Sequence, residues 1–550
     1  MKPNIIVTSA LPYANGPLHL GHMLGYIQSD IWVRFQKMSG TTCYFICGSD
    51  THGSPILMHS RKVGISPEKL VTDISRSHFS DFVGFGINFD YYHSTHHPMN
   101  KRFVDDIFRS LVKQDLIKRK TIKQFFDVKL KMFLSDRFVM GTCFYCDASD
   151  QYGDNCERCG AVYSPETLIK PRSVMTGTVP IQKNSEHYFL NLSCLSQEIK
   201  RWILHGEVIL QPEVLNKLKE WLSSGLRDWD ISRDAPYFGF PIPDTKEKKY
   251  FYVWLDAPVG YLAAFQMLCD SLKLNFNDYW KPNTKSELYH FVGKDITYFH
   301  SLFWPALLHS RGYRKPTGIF AHGLLTINAR KMSKSRGTFI TARSYLDHFD
   351  PDCLRFYFAT KLSASINDID LNMSDFVQKF NSNVIGKVIN IGSRCAKILH
   401  CYFNNKLSSH IPDQKLVSEF CASHREIGYL FKKRDFSRAM KIIIALADRA
   451  NQFIAKHKPW QLVRDDKDLS LAHSVCSLGI NLFKIIIGCL KPVMPKFSAK
   501  AESFLNIKEL TWSDIPMILL DHEINEFFPL MSRIEFSQAE ILLKGEKNIM

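Results

Sequence analysis

The first fifty residues constrain the architecture more than any other stretch of this chain. Ile5-Ile6-Val7-Thr8-Ser9 is a β-branched run that predicts a buried strand. It breaks at Pro12, Asn15, Gly16 and Pro17, after which Leu18, Leu24, Ile27 and Ile31 recur at helical spacing. A second strand is expected over residues 43–47, ending at Gly48-Ser49-Asp50, and a helix from about 67 to 82. Strand, loop, helix, strand in this order is the unit from which parallel sheets are built.

Residues 115–245 interrupt that rhythm with a cysteine-rich, loop-heavy stretch. Strand-like text returns at 250–254, 288–292 and 319–320, with a helix from about 297 to 310. The simplest topology is one α/β domain split by an insertion, and 550 residues leave room for several further units. From about 384 onward the pattern is amphipathic helix, with Ile385, Val388, Ile389 and Gly392 on one face. No apolar run approaches the roughly 18–20 residues that cross a bilayer; 442–447 and 485–490 read as buried helix. The start has one lysine and too short an apolar core for a signal peptide, so a cytoplasmic protein is expected.

Two segments carry phosphate chemistry. Pro12-Tyr13-Ala14-Asn15-Gly16-Pro17-Leu18-His19-Leu20-Gly21-His22 joins the first strand to the first helix, where free N–H groups and the helix dipole attract anions. His19 and His22, three apart, share a helical face, and Gly21 lets a flat ring approach the backbone. Lys331-Met332-Ser333-Lys334-Ser335, followed by Arg336-Gly337-Thr338, suits a flexible loop that closes over phosphates. Each segment alone also fits an ordinary connection or a solvated basic turn. The net charge of +16 attracts polyanions but equally fits a lysine-rich surface.

Of the fourteen cysteines, most sit singly in apolar contexts, as small hydrophobes in a reducing compartment do. Cys143, Cys146, Cys156 and Cys159 form a C-x2-C-x9-C-x2-C array, and two close thiolate pairs match one closed, structural Zn²⁺ site.

An HxGH at a strand–helix junction and a KMSKS about 310 positions later together resemble the signature pair of class I aminoacyl-tRNA synthetases. Ala10-Leu11-Pro12-Tyr13-Ala14-Asn15-Gly16, the four-cysteine knuckle, Trp229-Asp230-Ile231-Ser232-Arg233-Asp234 and Trp254-Leu255-Asp256-Ala257-Pro258-Val259-Gly260-Tyr261 narrow the resemblance to the methionyl-tRNA synthetases, from near residue 4 to near 535. That resemblance implies a parallel, Rossmann-like α/β catalytic domain split by a zinc-knuckle insertion and followed by an α-helical anticodon-binding bundle. The expected divisions are 1–114 and 246–325 for the catalytic domain, 115–245 for the insertion (knuckle about 140–162), 326–383 for the KMSKS-bearing linker and 384–550 for the bundle. It implies ATP-dependent ligation of L-methionine to tRNA(Met) through an adenylate, with Mg²⁺ accompanying ATP and one structural Zn²⁺. His19, His22, Lys331 and Lys334 would be catalytic. Gly21, His19, His22, Gly293, Asp295, His322, Met332 and Lys334 would hold ATP. Leu11, Tyr13, Asp50, Trp254, Ala257, Pro258, Tyr261, Ile296 and His300 would form the methionine site, with Asp50 on the ammonium. Asn390, Arg394 and Trp460 would read the anticodon.

Some relatives carry a C-terminal OB-type domain; here the text stops in a charged tail, so a monomer without that domain is expected. General tRNA affinity would then rest on the bundle and on basic runs such as Lys118-Arg119-Lys120 and Lys123. Gly25 stands where a bulkier residue is common in the family. Competing readings are a class I enzyme for another amino acid, a nucleotidylyltransferase that binds no tRNA, and a non-catalytic zinc protein that binds nucleic acid. The last leaves both phosphate motifs unexplained.

Overall fold

The computed structural model describes residues 2–550 apart from 154, 155, 157, 160, 162, 246, 247, 333–338, 465–467 and 546–550; at 331 and 543–545 only the backbone is described. The β-branched run forms β1 (Ile5–Ser9), and the chain turns through the Pro/Gly loop into α1 (Leu20–Met38). Then follow β2 (Cys43–Ser49), β3 (Tyr91–Ser94), helix α2 (Val253–Leu272), β4 (Glu287–Gly293) and β5 (Gly318–His322). The five strands make one parallel sheet in the order β5-β4-β1-β2-β3, with Val7 paired to Phe45 on one side and to Tyr289 on the other. The order reverses at β1, so the crevice at its carboxyl end is the place such a sheet offers to a ligand. β1 and β2 are almost wholly buried, as a sheet covered on both faces requires.

The sequence reading extends a strand to residue 254, but the strand ends at Phe251 and Val253 begins α2. Tyr250 to Trp254 are all good strand formers, so local pattern cannot place the break; Asp256 in the first turn suits the positive end of the helix dipole. The expected helix at 297–310 is a 3₁₀ turn (Lys294–Ile296), a π turn (Phe299–Phe303) and an α-helix (Trp304–Arg311). Pro305 has no N–H to give Ser301, and the neighbouring Trp304 N–H reaches back five residues to Phe299.

The insertion holds more strand than its text suggests. Ile117–Asp127 pairs antiparallel with Ile181–Leu190 over ten residues, and this ribbon carries a small sheet of Gln151–Tyr152, Val139–Thr142 and Ile169–Ser173. Residues 118–121 are exposed and three of the four are cationic, so the alternation that marks a half-buried strand is missing there.

The helical part contains α3 (Asn390–Phe403), α4 (Phe436–His457), α5 (Pro459–Arg464) and α6 (Leu469–Leu490). α6 corrects the reading that no stretch is long and apolar enough to cross a membrane: by length and composition it qualifies. Yet 94% of its apolar window is buried, with α3, α4 and α5 packed around it, so it is the core of the bundle.

Bundle and catalytic domain are joined by buried charge. Asp30, on the back of α1, accepts from Arg34 Nε (2.7 Å) and from Arg355 Nη2 (2.6 Å). Arg355 is fully buried and also donates to the carbonyls of Val493 (2.7 Å) and Pro492 (3.1 Å), just beyond α6. The two guanidinium groups outweigh the cost of burial and hold the Asp30 carboxyl below its usual range.

Candidate active site

The loop after β1 is threaded between neighbouring strand ends. Ala10 N–H donates to Phe291 O (3.0 Å), Asp50 N–H to Pro12 O (2.9 Å) and Ala14 N–H to Asp50 O (2.7 Å). Buried His78, kept neutral by loss of hydration, donates from Nε2 to Gly16 O (2.7 Å) and fixes the turn. His19 then caps α1: its backbone N–H donates to His22 Nδ1 (3.2 Å), and the two rings stack at 3.7 Å. Because Nδ1 accepts, the proton of neutral His22 sits on Nε2. Loss of hydration, and then the neighbouring His19, push the His22 pKa well below the ordinary histidine value.

His19 and His22 line one cleft of about 1510 Å³, together with Gly21, Gly293, Asp295, His322 and Met332. Residues within and just after the second motif lie against the first: Met332 packs over Gly21, Leu20 N–H donates to Ile340 O (3.0 Å), and Ala342 N–H to Leu18 O (2.8 Å). Of Lys331 the backbone is described, in the short strand Arg330–Lys331; Lys334 lies outside the described residues. His322 donates from Nδ1 to Gly323 O (2.8 Å), which leaves Nε2 as acceptor facing α1 at Gly25. A Cβ on Gly25 would stand 2.5 Å from that Nε2, so this glycine makes room for the His322 ring.

A smaller cavity of about 50 Å³ opens beside Asp50. Its walls include Leu11, Asp50, Trp254, Ala257, Pro258, Tyr261, Ile296 and His300; Tyr13 lines the adjoining cleft instead. Sequence reasoning missed Phe299 and Trp304, which complete the wall. Phe299 stacks on Trp254 (4.0 Å, 13°), and Trp304 donates to His290 Nε2 (3.1 Å). The spacing from His300 to Trp304 was the available signal, read there as ordinary helix. His300 donates from Nδ1 to Ile296 O (3.0 Å), so its Nε2 accepts the Tyr261 hydroxyl (3.0 Å). Burial pushes the His300 pKa down to about 4, and the cavity wall therefore carries no charge from it at neutral pH.

At the polar end, Asp50 Oδ1 is buried and meets no hydrogen-bond donor among the described residues. Burial, and then the charge of Asp256, raise its pKa well above the usual carboxylate range. A carboxylate in that state gains most from a cation that enters with its own hydrogen-bond donors.

In the insertion, the Sγ atoms of Cys143, Cys146, Cys156 and Cys159 all lie within 4.8 Å of one another. Cys143–Cys159 and Cys146–Cys156 are separated by 3.9 and 3.6 Å. Disulfides require about 2.05 Å, whereas four sulfurs about 2.3 Å from one tetrahedral Zn²⁺ stand about 3.8 Å apart. The donor set fits the metal.

In the bundle, Arg394 lies over the Trp460 ring (4.4 Å), and Asn390 Nδ2 donates to Asn451 Oδ1 (3.1 Å). Asn390, Arg394 and Trp460 are partly exposed. In the insertion, Lys118 and Lys120 share Asp228 (3.5 and 2.7 Å), while Lys123 lines the cleft.

Residues 5–396 match the family model described as class I tRNA synthetases (M), and residues 408–525 match the anticodon binding domain of methionyl tRNA ligase. Curated relatives named methionine–tRNA ligase, from Francisella tularensis subsp. holarctica (strain OSU18) and subsp. tularensis (strain WY96-3418), are each 56% identical, over 546 and 547 residues. Those matches cover 99% of this chain and 81% of the relatives. The fold resembles that of Mycobacterium tuberculosis methionyl-tRNA synthetase in complex with methionyl-adenylate (TM-score 0.79, 22% identity, 95% of this chain and 98% of that one). A second structure with the same ligand gives a TM-score of 0.80 at 21% identity, covering 96% and 100%.

Proposed function

The chain belongs to the class I methionyl-tRNA synthetases, which are methionine–tRNA ligases, and from that premise we propose how its residues divide the work. Methionine occupies the small cavity, its thioether among Trp254, Phe299, Tyr261, His300 and Trp304, where a polarizable sulfur gains contact with ring edges. Its ammonium meets Asp50, whose buried oxygen, without a donor among the described residues, is the single observation that carries this reading. ATP lies in the large cleft, its ring against Gly21 and its sugar and phosphates toward Gly293, Asp295, His322 and the stacked His19 and His22.

The methionine carboxylate then attacks the α-phosphorus in line. His22 offers its Nε2–H to the phosphate oxygens, and charge growing on the departing pyrophosphate is met by His19, His22, Lys331 and Lys334. Mg²⁺ bound to ATP supplies further positive charge. No side chain becomes covalently bonded; positioning supplies much of the acceleration. In the second step a terminal ribose hydroxyl of tRNA(Met), the 2′-OH in class I, attacks the adenylate carbonyl, and the acyl–phosphate bond breaks with AMP as the leaving group. Arg394 and Trp460 offer a stacking platform for unpaired anticodon bases, and Asn390 adds hydrogen bonds at base edges.

Cys143, Cys146, Cys156 and Cys159 hold one structural Zn²⁺ in a single knuckle. Thiols buried singly through the fold, such as Cys43, Cys269 and Cys489, suit the reducing cytoplasm. Pyrophosphate exchange with each of the twenty amino acids, followed by charging of tRNA(Met), tests the assignment. Exchange stimulated by methionine far above the rest is expected; exchange driven by another amino acid, or by none, refutes it.

A further inference from the structure

Two residues beyond Asp50, the chain buries a histidine that the reaction above does not use. His52 is 0% exposed, as is Asp256 in the first turn of α2. His52 Nδ1 hydrogen-bonds Asp256 Oδ2, and His52 Nε2 lies 2.9 Å from His96 Nδ1. With the carboxylate as acceptor, His52 donates from Nδ1 and accepts at Nε2 from His96, which gives an unbroken chain from α2 to the loop after β3. Phe240 and Phe238 wedge the ring edge-on, at 4.6 and 5.5 Å. Asn100 Nδ2 holds the Asp256 carbonyl (3.2 Å), and the Thr51 N–H and hydroxyl both bond Thr95 Oγ1 (3.0 and 2.8 Å).

The elements joined here are the two halves of the amino-acid site. The carboxyl end of β2 presents Asp50; the first turns of α2 present Trp254, Ala257, Pro258 and Tyr261. α2 packs on β2 and β3, but apolar packing is non-directional, and the buried His52–Asp256 bond adds a directional link between the strand end and the helix. We propose that His52 is a positioning residue that, through Asp256, sets the distance between the carboxylate that receives the substrate ammonium and the wall that receives its side chain. This rests on the assignment of the small cavity to methionine. A 1 Å error in such a spacing is felt as lost affinity for a substrate that must touch both ends, while the nucleotide, held by other strand ends, is unaffected.

The test is methionine-dependent pyrophosphate exchange with the full chain and its H52A, H52N, D256A and H52A/D256A variants. H52A should raise the methionine KM roughly 10- to 100-fold and leave the ATP KM within about twofold. Asparagine can place its amide donor near the former Nδ1, so H52N should recover most of the loss. The double variant should cost no more than the larger single, because both remove one link. An unchanged methionine KM in H52A, equal rises for methionine and ATP, or additive losses in the double variant overturn the proposal. If the unmodified chain shows no methionine-dependent exchange, the assignment of the cavity fails instead. If H52A does not fold, the comparison of H52N with H52L decides: H52N keeping a near-normal KM while H52L, which has no donor, loses affinity supports the link, and the reverse order overturns it.

Discussion

Replacing Asp50 with asparagine removes one charge from the polar end of the small cavity and leaves shape and volume nearly unchanged. In the free protein the substitution costs little, since the carboxyl oxygen it removes is buried and meets no donor among the described residues. With methionine bound, a charge-assisted hydrogen bond to the ammonium is lost, worth about 1.5–3 kcal/mol. That corresponds to a roughly 10- to 150-fold rise in methionine KM, read by pyrophosphate exchange at saturating ATP. The structure adds a pH signature. Asp50 has its folded pKa raised by burial and by Asp256, so its contribution to stability is full below the ordinary carboxylate value and is lost as pH rises through the folded value. Ammonium binding requires the ionised form. The methionine KM of the unmodified enzyme should therefore fall as pH rises, and methionine should raise Tm more at about pH 8 than at about pH 5.5. Asp50→Asn should lose both trends. A KM rise below about threefold, or a pH trend that survives in the variant, would refute the argument.

Gly25→Ala places a methyl group against His322 Nε2, and should raise the ATP KM roughly tenfold with the methionine KM little changed in the same exchange assay. Lys334→Ala should slow adenylate formation roughly 100- to 1000-fold in single-turnover measurements while methionine binding by calorimetry stays near normal; equal losses would refute its role. Trp460→Ala should lower kcat/KM for tRNA charging roughly 10- to 100-fold and leave exchange intact. Elemental analysis should find close to one zinc per chain, and a chelator should expose the 139–173 sheet to protease before the rest of the fold; full resistance without metal would refute the knuckle.

What the text of the chain shows and what it hides follow from physical range. β1, α1 and β2 were legible because a fully buried strand and an amphipathic helix each impose a local period, and the two histidines sit where that period changes. The cysteine array was legible because metal ligands come in close pairs along the chain. The ribbon Ile117–Asp127 was not, since its exposed cationic residues erase the alternation of a half-buried strand. Phe299 and Trp304 were missed because Pro305 resets the helical register, and the face each residue presents depends on that reset. The His52–Asp256 pair, 204 positions apart, and the room Gly25 makes for His322 exist only once the sheet has assembled. No local pattern encodes a distance between a strand end and a helix from another part of the chain.

The anchoring of Asp30 by Arg34 and Arg355 has a consequence for anyone who treats the two halves as interchangeable parts. Besides Asp30, Arg355 donates to the Phe85, Val493 and Pro492 carbonyls, so a hybrid whose borrowed helical half places its backbone elsewhere leaves the donors aimed at 492 and 493 without acceptors. The Asp30 pair survives such a swap, and each buried donor left without an acceptor costs about 1–3 kcal/mol. Swaps between such enzymes should be cut so that 355 and 492–493 travel together.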